Sequence, residues 1–454
     1  MSVDVNASQL NRNVSVFEAH YAVSLLLLIS ILAYADRLIM GFLIDPIKAD
    51  MGVSDTQMGL LVGLAFSLFY ALMGLPIGRA IDRFPRPAVL AFCITIWSLC
   101  TMLSGAATGI ILLFIARCGV GAGEAAMNPA AVSIIGDRFP RDRVIGALSI
   151  YSIGVTAGGG LAIILGGQLI EFLSSLSSIS LPGFENISVW RAVLIILGVP
   201  GLFLAAILLL TIKDPERYFL RRTTDVTVNS RDVDENGFLA LIWNRRRAYL
   251  PLISGLIAFG FYNYSVLGWY PAMFNRTYNV SPGQISIWYG LSYLGVGVAG
   301  ALATAPLTRR LAQRNPYNSP MQILYYASIV SLAPAVAGPL MPTFYLSVAC
   351  FLLSMFMSAI STSISFSAFL LITPPNYRGI VIAAYVMAMN LTAASLSGVF
   401  IGLLSDNIYG AANLNRAIAT MALVAIPISI LCYRSGRETY GAQAAKEEHL
   451  GQRP

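Results

Sequence analysis

Twelve apolar stretches, most of them 20 residues or longer, leave this chain few ways to fold. They cover residues 20–44, 55–81, 88–106, 109–136, 144–172, 189–212, 249–274, 283–308, 320–341, 343–371, 378–406 and 413–434. About 20 apolar residues cross a bilayer as a helix, which pairs its backbone N–H and C=O groups within the segment where no water can. Only 11% of the residues are charged, against roughly 25% in soluble domains. The expected class is an all-α membrane protein with 12 transmembrane helices.

Basic residues set its orientation. Of the 29 Lys and Arg, 23 fall in one set of loops and the tails, 4 in the opposite loops and 2 inside spans. Positive charge stays cytoplasmic, so both termini are expected inside. The division is a tail at 1–19, six helices over 20–212, a linker at 213–248, six more helices over 249–434 and a tail at 435–454. The polar stretch before Tyr21 lacks a basic n-region and reads as a tail rather than a cleaved signal. Within the linker, Phe238–Trp243 followed by Arg245, Arg246 and Arg247 predicts a short helix on the inner membrane surface.

Several function classes drop out. The net charge of +7 is the topology signal, so no nucleic-acid partner is expected. Lys48, Lys213 and Lys446 follow Ile47, Ile212 and Ala445, so no phosphate-binding Gly-Lys exists. The two histidines, His20 and His449, lie outside the spans, and the five cysteines sit singly in apolar runs. Neither enzyme chemistry, a metal nor another cofactor is expected. No ring of charge or repeated filter loop suggests a channel.

Two motifs carry a resemblance. Gly78-Arg79-Ala80-Ile81-Asp82-Arg83-Phe84-Pro85-Arg86 at the inner end of span 2 resembles the signature loop of the major facilitator superfamily. Ala35-Asp36-Arg37, Arg117 to Glu124, Asp137-Arg138 and Trp190-Arg191 are similar to the spinster branch of that superfamily, in a bacterial form. The resemblance implies two six-helix halves, each of inverted 3+3 repeats around a midplane cavity. It implies a carrier in the bacterial inner membrane that moves sphingolipid or lysophospholipid molecules, with proton coupling and export. A cytoplasmic gate is expected at Gly78, Asp82, Arg83, Arg86 and Arg138, with Asp82 against the N-terminus of span 11. Thr308 stands where a second acid would be, so any gate there should be weaker.

Asp36 and Arg37 in span 1, with Arg117 and Glu124 in span 4, lie at bilayer depth, where a charge persists in a bundle or beside a water path. Arg117 and Glu124 are seven residues apart on one helix face. Asp36 and Arg37 point about 100° apart, so cross-helix pairs are expected: Asp36 with Arg117, and Arg37 with Glu124 or the substrate. Asp36 and Glu124 are the expected proton sites, Arg37 and Arg117 their counter-ions and anion hooks. The C-terminal half offers no charge inside the cores of its cavity spans, only Tyr262, Asn263, Tyr289, Tyr293, Phe366, Met387 and Asn390 as an apolar and aromatic wall. One charged wall and one apolar wall suit an amphipathic anion. The alternatives are a proton-coupled carrier of small organic anions or drugs, and a receptor on the same fold that transports nothing. A monomer is expected.

Overall fold

The computed structural model describes residues 16–180, 185–214 and 235–451. Most of the expected N-terminal tail, the first part of the linker and residues 452–454 lie outside the described residues. Twelve helices are long and apolar enough to cross a membrane, and they are numbered here as spans 1 to 12: Phe17–Met51, Asp55–Arg83, Arg86–Gly105, Ile110–Arg138, Arg143–Ser174, Val189–Thr211, Arg246–Tyr278, Pro282–Ala312, Ser319–Leu340, Phe344–Ile372, Pro375–Tyr409 and Ala411–Glu448. No strand occurs among the described residues. The linker helix, Glu235–Asn244, precedes span 7. The last helix runs to Gly451, so most of the expected C-terminal tail extends span 12 as a helix.

Local chemistry explains the starts and breaks. Ser54 and Gln57 form a reciprocal capping box at the start of span 2. Ser281 accepts from the Gln284 N–H, with Pro282 following, at the start of span 8. Span 4 breaks at Ala125 and Ala126, between Ile110–Glu124 and Met127–Arg138. Pro129 explains this break: it has no N–H for the Ala125 carbonyl, and its ring crowds that turn. Spans 2, 8 and 11 each contain a π-helical segment, at Leu60–Ala65, Ser292–Gly297 and Asn390–Ala394, a distortion that often marks functional positions.

Those three spans and span 5 line the seams between the halves. With inner and outer assigned from the charge asymmetry, the outer seams close backbone to backbone. A Cβ at Gly41 would lie 2.7 Å from the Gly268 carbonyl oxygen, one at Gly63 2.8 Å from that of Ser395, and one at Gly160 2.5 Å from that of Gly290. On the inner side, Gly78 of span 2, Gly146 of span 5, Gly295 of span 8 and Gly379 of span 11 each face open space, with nothing within 4 Å. The bundle is therefore a wedge, closed outside and open at the end carrying Arg83, Arg309 and Arg310.

The two seam environments predict opposite responses to one substitution. Gly160→Val overpacks the span 5–span 8 contact and should cost about 1–3 kcal/mol, lowering the melting temperature and widening spin-label distances between the outer ends. Gly146→Val should change neither. Equal effects at the two positions would show that the outer seam is not tightly closed.

Candidate functional site

The four intramembrane charges form two ion pairs with different surroundings. Arg117 donates through Nη1 to Asp36 Oδ1 at 3.0 Å, and the Thr101 hydroxyl donates to Asp36 Oδ2. Arg117 and Asp36 are 1% and 3% exposed, so this pair is sealed inside the N-terminal half with both carboxylate oxygens engaged. Arg37 donates through Nη2 to Glu124 Oε2 at 2.8 Å. Glu124 is 1% exposed, whereas the Arg37 side chain keeps 31% of its surface accessible. Glu124 Oε1 is buried without a hydrogen-bond partner.

Aromatic rings shape the second pair. The Arg37 guanidinium carbon lies 4.4 Å from the Phe66 ring centre, 5.1 Å from that of Tyr70 and 5.5 Å from that of Tyr34, within cation–π range. Phe66 also reaches Arg117, at 5.8 Å, and so stands between the two cations. Gly121 permits this arrangement, because a Cβ there would overlap the Phe66 backbone. Gly119 and Gly123 likewise admit Cys100 and Trp97. The alternating glycines thus let spans 2 and 3 press against span 4 beside both charges. A small cavity beside Glu124 is lined by Ser30, Tyr34, Arg37, Tyr70, Met127 and Asn128.

Other expected positions divide. Arg117 was expected as an anion hook, but burial behind Phe66 leaves only Arg37 accessible. Tyr262 and Tyr289 were expected on the cavity wall, yet they are 1% and 2% exposed and belong to the core. The Tyr289 hydroxyl donates to the Val266 carbonyl, and its ring stacks on Phe351. Asn263 accepts from Ser358, and Asn390 donates to the Val386 carbonyl of its own helix. Tyr293 is partly accessible, and Phe366 and Met387 are exposed. At the inner end, Asp82 and Arg83 are exposed and Gly78 faces open space, so they are apart from span 11 in this open arrangement. Arg86 is buried instead within its own half, on Asp137, Ser133 and Asp214, and Arg138 donates to the Lys213 carbonyl.

The outer end holds a cluster of which only Lys48 and Arg276 count, from the sequence, as outer-loop charges. Asp55 of span 2, 0% exposed, receives a two-pronged bond from Arg276 of span 7, each prong 2.8 Å, together with Lys48 and the Ser405 hydroxyl. Arg276 also binds Asp45 and the Ala411 carbonyl. Asp406 at the end of span 11 accepts the Asp55 and Thr56 N–H groups, satisfying the N-terminus of span 2 from the other half. Across the second seam, Glu171 of span 5 accepts the Gly283 N–H at the start of span 8. Both outer seams are fastened by a carboxylate on a helix N-terminus. Ser54-Asp55, with its cap and acid, was the one available sequence signal.

The sequence profile of the Major Facilitator Superfamily matches residues 26–398. The chain belongs to this superfamily. It is a transporter, not an enzyme, and an integral membrane protein. An efflux pump of the superfamily from Mycolicibacterium smegmatis is 28% identical over 418 residues, 91% of each chain. Human spinster homolog 1 is 26% identical over 408 residues, 85% of this chain and 73% of the human one. A solved bacterial homologue of the human lysosomal transporter Spinster, inward-facing and unoccupied, superposes with a TM-score of 0.77 at 24% identity, covering 96% of this chain and 98% of the other.

The outer cluster predicts what holds the outer end of this chain shut. Removing one partner of a buried pair costs about 3–5 kcal/mol, enough to shift a two-state population by roughly a hundredfold or more. In a cysteine-free background, Arg276→Ala should therefore make a cysteine at Met58, fully buried and one helical turn from Val62, which faces Gly268 of span 7 across the seam, accessible to an impermeant maleimide from outside. Unchanged labelling would mean that the cluster does not hold the outer end shut.

Proposed function

We propose that this protein is a proton-coupled secondary transporter of an amphipathic, lipid-like anion of the lysophospholipid or sphingosine-phosphate type, working by alternating access as a monomer in a bacterial inner membrane with both termini cytoplasmic. The observation that carries the proposal is the Arg37–Glu124 pair. Arg37 is accessible and cannot lose its charge, whereas Glu124 is buried with one free oxygen.

Neutrality links the two events. An anionic head that draws Arg37 away leaves Glu124 as an unpaired buried carboxylate, which is costly. A proton on the free Oε1 removes that cost. Besides Arg37, Glu124 is faced by Tyr34 and Asp36 of span 1, Tyr70 of span 2 and Arg117 of its own span, and none of these replaces the lost Arg37 contact in the arrangement described. Asp36, with both oxygens engaged, anchors spans 1, 3 and 4 and responds to this exchange indirectly. The exposed Phe366 and Met387, with the Tyr34–Phe66–Tyr70 cage around Arg37, suit a tail beside a charged head. The Asp82–Arg83 segment is assigned to the closed inner gate of the opposite state.

Co-loading of proton and anion makes a neutral complex and favours their movement in one direction. Export, which the resemblance implies, is the second reading, here as exchange for protons and favoured by likeness to the efflux pump; there the protonated site is the empty one. The pH dependence of lysophospholipid affinity separates them. Co-loading predicts affinity that rises as pH falls through the titration of Glu124, by up to tenfold per pH unit for one linked proton. Exchange predicts the opposite slope. Glu124→Gln should flatten either, and a wild-type affinity independent of pH would remove Glu124 from coupling altogether.

A further inference from the structure

The linker helix does not lie flush on the bundle. Between it, span 7 and the inner half of span 11 is a groove of about 630 Å³, lined by Phe238, Trp243, Ile253, Val381, Tyr385 and Ala388 among others. That volume falls in the range of small-molecule sites, but the lining is aliphatic and aromatic, so what fills it must be a hydrocarbon chain. Two linker-helix residues along the groove, Leu239 and Trp243, are 65% and 68% exposed. Apolar exposure of that size beside arginines is the pattern of a helix lying in the headgroup region of a bilayer.

Charge stands at the same place. The Arg246 guanidinium lies over the Trp243 ring at 4.7 Å and donates to the Trp243 carbonyl at 2.9 Å, which holds a cation directly above a groove-lining side chain. Arg246 and Arg247 are both exposed. Arg245 is committed elsewhere, to Glu447 and the Ile372 carbonyl. An apolar slot with the Arg246 cation at its end, and exposed Arg247 next to it in the chain, complements an anionic headgroup on an acyl chain.

We propose that this groove binds an anionic phospholipid of the inner leaflet, with one acyl chain between the linker helix and span 11 and the phosphate against Arg246 and Arg247. The site is separate from the Arg37–Glu124 cavity, so its occupant is a resident bilayer lipid rather than cargo. Because span 11 is one arm of the open inner end, a lipid bridging it to the linker helix ties the state of the bundle to leaflet composition.

Native mass spectrometry of the full chain in mixed micelles of phosphatidylglycerol and phosphatidylcholine tests this. Wild type should retain phosphatidylglycerol preferentially, by about fivefold for each arginine engaged. Arg246→Gln with Arg247→Gln should abolish the preference, and Ala384→Trp, which fills the groove, should abolish retention. Ala384→Leu provides a smaller obstruction if the tryptophan variant does not fold. Phosphatidylglycerol should also raise the melting temperature of wild type more than phosphatidylcholine does, an increment lost in the groove variants. No preference in wild type, or a preference untouched by filling the groove, would overturn the proposal; the latter would show surface attraction to the arginines alone. Displacement of the lipid by a transported lysophospholipid would also overturn it, by making the groove part of the cargo path.

Discussion

A charge inside a bilayer has to be neutralised, and that requirement organises the N-terminal half. It is met twice, in two different ways. Asp36 and Arg117 satisfy each other in a dry, closed contact completed by Thr101, and so fasten spans 1, 3 and 4. Arg37 and Glu124 satisfy each other at the edge of the cavity, leaving one carboxylate oxygen unused. Phe66 lies between the two cations, and Gly121 gives its backbone room. In the proposed mechanism, the first pair is the scaffold against which the second pair exchanges partners.

The same economy of charge governs the ends. In the closed outer end, acids of each half meet donors of the other: Asp406 and Glu171 on helix N-termini, and Asp55 on the Arg276 fork. At the inner end the proposed gate offers Asp82 on span 2 for span 11, while Thr308 on span 8 spends its hydroxyl on the Thr304 carbonyl. Closing the outside engages two acidic caps and a buried ion cluster; closing the inside has one acidic cap available at these seams. In the proposed cycle, that imbalance favours the arrangement open at the basic end. The π-helical segments of spans 2, 8 and 11 sit between the tight outer and splayed inner halves, where a bend has to be absorbed.

Much of this was legible before any coordinate. Apolar length located all twelve spans, and burial cost singled out Asp36, Arg37, Arg117 and Glu124. Helical spacing placed Asp36 and Arg37 on different faces, which made cross-helix pairing the natural expectation. What periodicity does not carry is which face meets the cavity and which meets another helix. Tyr262 and Tyr289 look like Tyr293 in sequence but are buried, Tyr262 beside Phe259 of its own span and Tyr289 stacked on Phe351 of span 10. Tyr34, Phe66 and Tyr70 looked like ordinary span residues, although Phe66 and Tyr70, four apart, had to share a face. The outer cluster was hidden for another reason: Asp45, Lys48, Asp55, Arg276 and Asp406 come from the ends of four spans, where charges normally face solvent. Only the tertiary fold brings them together.

Glu124 is the point at which the function reads most directly. Proton counting on ligand binding tests it without reconstitution or flux. With purified protein in weak buffer and a pH-indicating dye, near the pH where affinity changes most steeply, lysophospholipid should draw a proton from solution in wild type and none in Glu124→Gln. Proton release on binding, or uptake undiminished in Glu124→Gln, would contradict the account.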